Sequence, residues 1–255
     1  MTSKNTEISS VDSSIKERLL CTLQFESTLN YEDNLKTLVE QIEQTPENAI
    51  ILAPEVCLTD FDYEHIEEAS IFSAQAIDKL LKLAKERIIC FTVIEKQNNG
   101  TFYNLAKVLH NEKVVHQQSK SKLFNLGDED KYFAENKEEK LSLFEIDGIK
   151  FGLLICFELR FKQYWKDLEG ADIILVPARW GKVRAQNFAV LTEALAVMNQ
   201  CYVMASDASS EDCTSMSGII SPFGKTSRNG NALCLAIPYD KQEIRLMRRY
   251  LNVGI

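Results

Sequence analysis

Residues 151–161 read Phe-Gly-Leu-Leu-Ile-Cys-Phe-Glu-Leu-Arg-Phe. The apolar run from Phe151 to Ile155 is short and unbroken, and Asp147-Gly148 just upstream is a hairpin signal between it and residues 141–146. That combination reads as a strand buried on both faces. The run stops at Cys156, and Glu158 and Arg160 follow at once, which reads as a chain turning into polar surroundings. Residues 156–169 have a helical pattern that Gly170 would cap. Residues 171–180, Ala-Asp-Ile-Ile-Leu-Val-Pro-Ala-Arg-Trp, then give a second buried strand.

The same alternation extends in both directions. Residues 18–25 read as a first strand. A helix follows over 30–44, with Leu35, Leu38, Val39 and Ile42 at helical spacing and Asn30 as N-cap. Residues 49–53 form a buried strand ended by Pro54. A helix over 74–86 and a strand over 88–96 come next, and Asn98-Asn99-Gly100 turns the chain into a strand over 101–110. Asn111 and Glu112 turn it again before 113–120. Residues 127–140 are charged and read as a loop or lid. Beyond residue 180 there is a helix over 185–200, a strand over 201–207 and hairpin strands over 217–239. Strands and helices interleave with no linker between halves, so residues 18–255 read as one α/β domain behind a polar tail, residues 1–17. Ile50-Ile51-Leu52-Ala53-Pro54 is echoed by Ile173-Ile174-Leu175-Val176-Pro177, which points to two similar sheets.

Composition narrows the function. The chain has 255 residues, with 29 basic and 37 acidic side chains and a net charge of −8. That acidic balance argues against nucleic-acid binding. No apolar run reaches bilayer length, so no membrane partner is expected, and residues 1–14 lack the apolar core of a secretory signal. The seven cysteines (Cys21, Cys57, Cys90, Cys156, Cys201, Cys213 and Cys234) are odd in number and show no Cys-x-x-Cys spacing. That is neither a disulfide framework nor a metal site, and it fits a reducing cytoplasm. Most of them, Cys21, Cys90, Cys201 and Cys234 included, read as small core hydrophobes. There is no phosphate-cradling glycine loop. A Cys-His protease would need one of His65, His110 or His116, none of which sits in a supporting motif.

Three reactive side chains stand at strand exits: Glu55 after the strand ending at Pro54, Lys120 after the strand containing Val114 and Val115, and Cys156. Taken singly, each has an ordinary explanation: a helix N-terminal acid, a solvated lysine and a core thiol. Their contexts, residues 51–61, 119–129 and 152–161, together resemble the nitrilase, or carbon–nitrogen hydrolase, superfamily. The shared patterns are Pro-Glu after an apolar strand, Lys-x-His-Leu-Phe leading to a Gly and a Glu, and Cys followed by aromatic, acidic, Leu, Arg and Phe. The resemblance runs from Arg18 to Tyr239. It implies a four-layer αββα sandwich and a reactive set of Glu55, Lys120 and Cys156. Alignment of the lysine motif onto residues 120–124 makes Lys120 the reactive lysine and puts Lys122 where the family has His. Glu129 matches a supporting acid. In the long helix, Leu195 and Met198 stand where the family often has Arg and Glu.

The residue types specify a chemistry. A thiolate at Cys156 would attack an acyl carbon, Glu55 would move the protons, and Lys120 and the Phe157 backbone N–H would hold the oxyanion. A thioester that water then cleaves needs no metal and no organic cofactor. Amide, nitrile and carbamoyl substrates all remain open, as do hydrolysis and acyl transfer, and a binding or scaffold role on the same fold is the non-enzymatic alternative. The walls would come from loops 57–66, 127–139 and 179–184. Arg179, Trp180 and Lys182, with Arg184, follow a buried strand, and these cations would favour a small amide that also carries a carboxylate, such as an ω-amide. The apolar helix over 185–200 predicts a homodimer or larger homo-oligomer.

Overall fold

The computed structural model describes residues 18–135 and 140–255; the expected tail and part of the 127–140 loop lie outside these. In the first half the chain forms β1 (Leu19–Leu23), α1 (Tyr31–Glu43), β2 (Ile50–Leu52), α2 (Ile66–Leu81), β3 (Ile88–Lys96), β4 (Phe102–His110), β5 (Lys113–Ser119) and α3 (Glu129–Tyr132). The second half forms β6 (Phe144–Ile146), β7 (Ile149–Leu153), α4 (Lys162–Asp167), β8 (Ile173–Ala178), α5 (Ala185–Met198), β9 (Tyr202–Asp207), β10 (Gly218–Ile220), β11 (Thr226–Arg228), β12 (Cys234–Pro238) and α6 (Lys241–Tyr250).

Two six-stranded sheets result, ordered β12-β1-β2-β3-β4-β5 and β6-β7-β8-β9-β10-β11. Read in those directions, both show the same succession of pairings: antiparallel, parallel, parallel, antiparallel, antiparallel. The sequence echo falls on equivalent strands, because β2 and β8 are both third in their sheet. Side-chain alternation assigns the layers. Leu20, Ile50, Leu52 and Ile88 face the second sheet and share a core with Ile173 and Leu175. Cys21, Leu23, Ile51 and Ile89 face the other way, against Leu35, Leu38 and Ile42 of α1 and Leu80 of α2. Phe188 and Leu195 of α5 and Ile244 of α6 join the second sheet's core. This is the αββα sandwich.

Several local expectations hold. Asn30 caps α1, its side chain accepting from the Asp33 N–H. The Asp147-Gly148 turn joins β6 to β7, and Gly170 follows α4 at φ +90°. Other details differ. Helix α2 begins at Ile66, well before residue 74, and α6 carries no apolar run that would announce it. Residues 156–169 are not one helix: a 3-10 turn over Cys156–Arg160 gives way to α4 at Phe161. Strand β12 does not finish a C-terminal hairpin but crosses to pair with β1. That leaves Cys234 on an edge strand and exposed, whereas the other six cysteines are buried as free thiols. Leu195 is buried and Met198 is exposed.

Candidate active site

Glu55, Lys120 and Cys156 leave three strands and meet inside the molecule. Glu55 emerges past β2, with its own N–H on the carbonyl of Ala178 at the end of β8 (3.2 Å). The two equivalent third strands thus touch where the site begins. Lys120 follows β5 and is 1% exposed. Its Nζ donates to Glu55 Oε1 and to Glu129 Oε1, both at 2.7 Å. Glu55 Oε1 also accepts from Asn104 Nδ2 (2.8 Å), and its Oε2 accepts from the Arg179 N–H (3.2 Å). Glu129 opens α3, and its second oxygen accepts from the Phe124 N–H at 3.1 Å. Burial alone would strip the Lys120 proton, but the two carboxylates reverse that and hold the ammonium well above the usual lysine range.

Cys156 sits at φ +48°, in the left-handed region, at the head of the 3-10 turn. A β-carbon disfavours that conformation, so the elbow is imposed by its surroundings. Burial pushes the thiol well above its ordinary range. Glu55 adds to the rise, and Lys120 and the Arg179 main-chain N–H oppose it. These influences favour the neutral thiol at Cys156 over the thiolate. Phe157 lies at the start of the 3-10 turn, where main-chain N–H groups have no partner within the helix.

Phe124, Cys156, Phe157, Arg160, Arg179, Trp180, Gly181 and Arg184 line a small pocket over the sulfur. Two candidate cations need correction. The guanidinium of Arg179 is already engaged, by Asp60 (Nε to Oδ1, 2.6 Å) and Asp212 (Nη1 to Oδ2, 2.9 Å), so this residue contributes its backbone rather than its charge. Lys182 is exposed, away from the pocket lining, and reaches only the Glu211 carbonyl (3.4 Å). The cations facing the pocket are Arg160, over the Trp180 ring at 4.9 Å, and Arg184, over the Phe124 ring at 5.0 Å. Neither forms an ion pair with a carboxylate among the described residues. Trp180 is held by Asp207, whose Oδ1 accepts its N–H at 2.7 Å. Lys122 lies outside, paired with Glu135 at 3.3 Å. None of the three histidines lines the pocket. No described group of three or more His, Cys, Asp and Glu could hold a metal ion.

No motif marks Asn104; its signal is an Asn within a strand, a residue type that strands disfavour and that asks for a partner when buried. The polar surroundings expected after Cys156 are, for Glu158, an interior set of N–H and O–H donors: the residue is fully buried.

Residues 20–230 match the family model for carbon-nitrogen hydrolase, and the chain belongs to that family. It is an amidase-like member of the nitrilase superfamily. The 2-oxoglutaramate amidase of Bacillus subtilis is 26% identical over 210 residues, spanning 78% of this chain and 80% of the relative. The deaminated glutathione amidase of Escherichia coli O157:H7 is 25% identical over 215 residues, spanning 80% and 82%. A Saccharomyces cerevisiae member of the nitrilase superfamily superposes with a TM-score of 0.82 at 21% identity, covering 94% of this chain and 96% of that one.

Burial and the nearby Glu55 charge raise the Glu129 carboxyl to about 7, against the pull of Lys120. In the unfolded chain it returns to the ordinary value of 4.5. Between those values the folded protein holds a proton that the unfolded one has lost, so stability falls as pH rises through that window. Urea unfolding across this range should show that slope in the wild type and a flatter one in Glu129→Gln.

Proposed function

We propose that the protein hydrolyses a small amide bearing a carboxylate, through a thioester on Cys156. The carrying observation is the buried ion-paired cluster: Lys120 held at 2.7 Å by each of Glu55 and Glu129, with all three charges acting on the Cys156 thiol. Glu55 takes the thiol proton as sulfur adds to the amide carbon. The tetrahedral oxyanion is stabilised by Lys120 and the Phe157 N–H, donors already fixed in a dry site. Collapse breaks the C–N bond, and Glu55 returns the proton to the leaving amine. Glu55 then deprotonates water, which attacks the thioester; expulsion of the Cys156 thiolate, reprotonated by Glu55, frees the acid. Glu129 fixes Lys120.

The substrate carboxylate belongs against Arg160 and Arg184. Both face the pocket, both are held over aromatic rings, and a carboxylate would supply a counter-ion that no described residue supplies. Two amidases that resemble this chain are named for 2-oxoglutaramate and for deaminated glutathione, which supports an acidic substrate here. Arg160→Ala and Arg184→Ala should each raise KM for an ω-amide of a dicarboxylic acid by about tenfold or more. A neutral amide of the same length should be little affected; an equal change for both amides would end this assignment.

The covalent step has its own check. Cys156→Ala should fold normally and lose turnover on the order of 10⁴–10⁶-fold, while mass spectrometry of substrate-treated wild type shows an acyl adduct on Cys156. An adduct on Cys57 or Cys213 instead would refute the scheme. Recovery of free acid, rather than transfer to added amines, would separate hydrolysis from acyl transfer.

The same reading includes a second copy of the chain. Helix α5 covers its sheet with one face and leaves Val190 (50%), Val197 (41%) and Met198 (64%) exposed, with Phe223 (46%) exposed in the turn that abuts Val197. A two-fold partner presenting the same patch would bury it. Light scattering at micromolar concentration should give a dimer mass or higher, and Met198→Glu should shift it towards the monomer.

A further inference from the structure

Glu158 lies between the two halves of the site without touching the pocket. Its Oε1 accepts the Ser121 N–H at 2.6 Å and the Ser121 hydroxyl at 2.7 Å; its Oε2 accepts the Ile155 N–H at 2.7 Å. Ser121 is the residue after Lys120, and Ile155 is the residue before Cys156. Tyr164 Oη lies 2.9 Å from Ser121 Oγ and, with the serine proton on Glu158, is the donor there. Burial pushes the Glu158 carboxyl above the usual range, while these N–H and O–H donors and Lys120 pull the other way.

Lys120 and Cys156 belong to different sheets. Packing between sheets is non-directional and fixes no single distance, whereas hydrogen bonds are directional. We propose that Glu158 is a positioning residue, a carboxylate bridge that sets the spacing of the Lys120 ammonium from the Cys156 sulfur and holds the left-handed elbow in place. The proposal rests on the Glu55–Lys120–Cys156 reading and adds the element that joins its parts.

The donor count explains why an acid is needed. Two main-chain N–H groups approach opposite oxygens of one side chain. A Gln offers one acceptor and one NH2, so whichever way it turns, one N–H faces another donor and that end of the bridge is lost.

The test uses the full chain as wild type, Glu158→Gln, Glu158→Asp and Ser121→Ala. Turnover is normalised to Cys156 sites that form the acyl adduct, which removes any loss of folded protein. Glu158→Gln should lower kcat per titrated site by about 10²-fold with KM changed by less than about threefold. Its Cys156 alkylation by iodoacetamide should move to higher pH, because Lys120 no longer stands close enough to stabilise the thiolate. Glu158→Asp, which restores both acceptors, should recover most of the rate. Ser121→Ala removes one of three bonds and should cost about fivefold in kcat, with a smaller shift of the same sign. A purely structural Glu158 would lower the melting temperature while leaving kcat per site and the alkylation profile at wild-type values, and that result overturns the proposal. If Glu158→Gln fails to fold, Ser121→Ala decides by the same two readouts. If the wild type forms no adduct on Cys156, the covalent scheme fails, and the alkylation profiles still report whether Glu158 sets the lysine–thiol spacing.

Discussion

An ammonium in a dry interior is the constraint on which this site depends. Desolvating one lysine costs several kcal/mol, and the cost is offset only by partners in hydrogen-bond contact. Lys120 has two of them, Glu55 and Glu129. The cluster therefore carries more negative than positive charge. The surplus is expressed on the neighbours: Glu129 is raised, and Cys156 is favoured as the neutral thiol. A thiol held in its neutral form is slower to oxidise and alkylate, since thiolate is the reactive form.

Two sheets of equal pairing order explain where this cluster lies. Each contributes its third strand to a common junction, where the Glu55 N–H meets the Ala178 carbonyl and the Arg179 N–H returns to the Glu55 carboxylate. Side chains anchored at rigid strand ends are held more firmly than side chains on mobile loops. The pocket wall is built differently. Asp60 and Asp212 reach Arg179 from separate loops, and Asp207, at the end of β9, holds the Trp180 N–H. Glu55, Lys120 and Cys156 thus stand at sheet ends, whereas the pocket wall at Arg179 and Trp180 is tied by ion pairs to loops and by a backbone contact to the end of β9.

Much of this was legible in the sequence, for physical reasons that also mark where legibility stopped. Strand β3 was read at its observed limits because its apolar run is bounded by charge and turn residues. Asn30 was read as a cap because its side chain has a local role. The start of α2 was not, since Glu67, Glu68 and the exposed Ile71 blur its apolar stripe. Helix α6 buries little beyond Ile244 and Met247 amid charge, too thin a stripe to stand out. Partners distant in sequence left no local trace. Arg179 read as a free cation because Asp60 and Asp212 lie 119 and 33 residues away. The burial of Glu158 has no sequence signal, because two of its three donors are main-chain N–H groups, which every residue but proline carries. Glu55, Lys120 and Cys156 were legible together because a family pattern surrounds each one.

The pairing of β1 with β12 has a consequence in time. Residues 19–23 leave the ribosome more than two hundred residues before their antiparallel partners at 234–238. Until then the flank of β1 that will meet β12 presents unpaired N–H and C=O groups, the kind of edge that recruits other strands. Local units such as β3-β4-β5 can pair during synthesis, but the sheet that carries Glu55 can be completed only after residue 238 has been made. The nascent chain must therefore keep that flank from foreign strands until β12 is made, and a truncation that removed β12 would leave it open permanently.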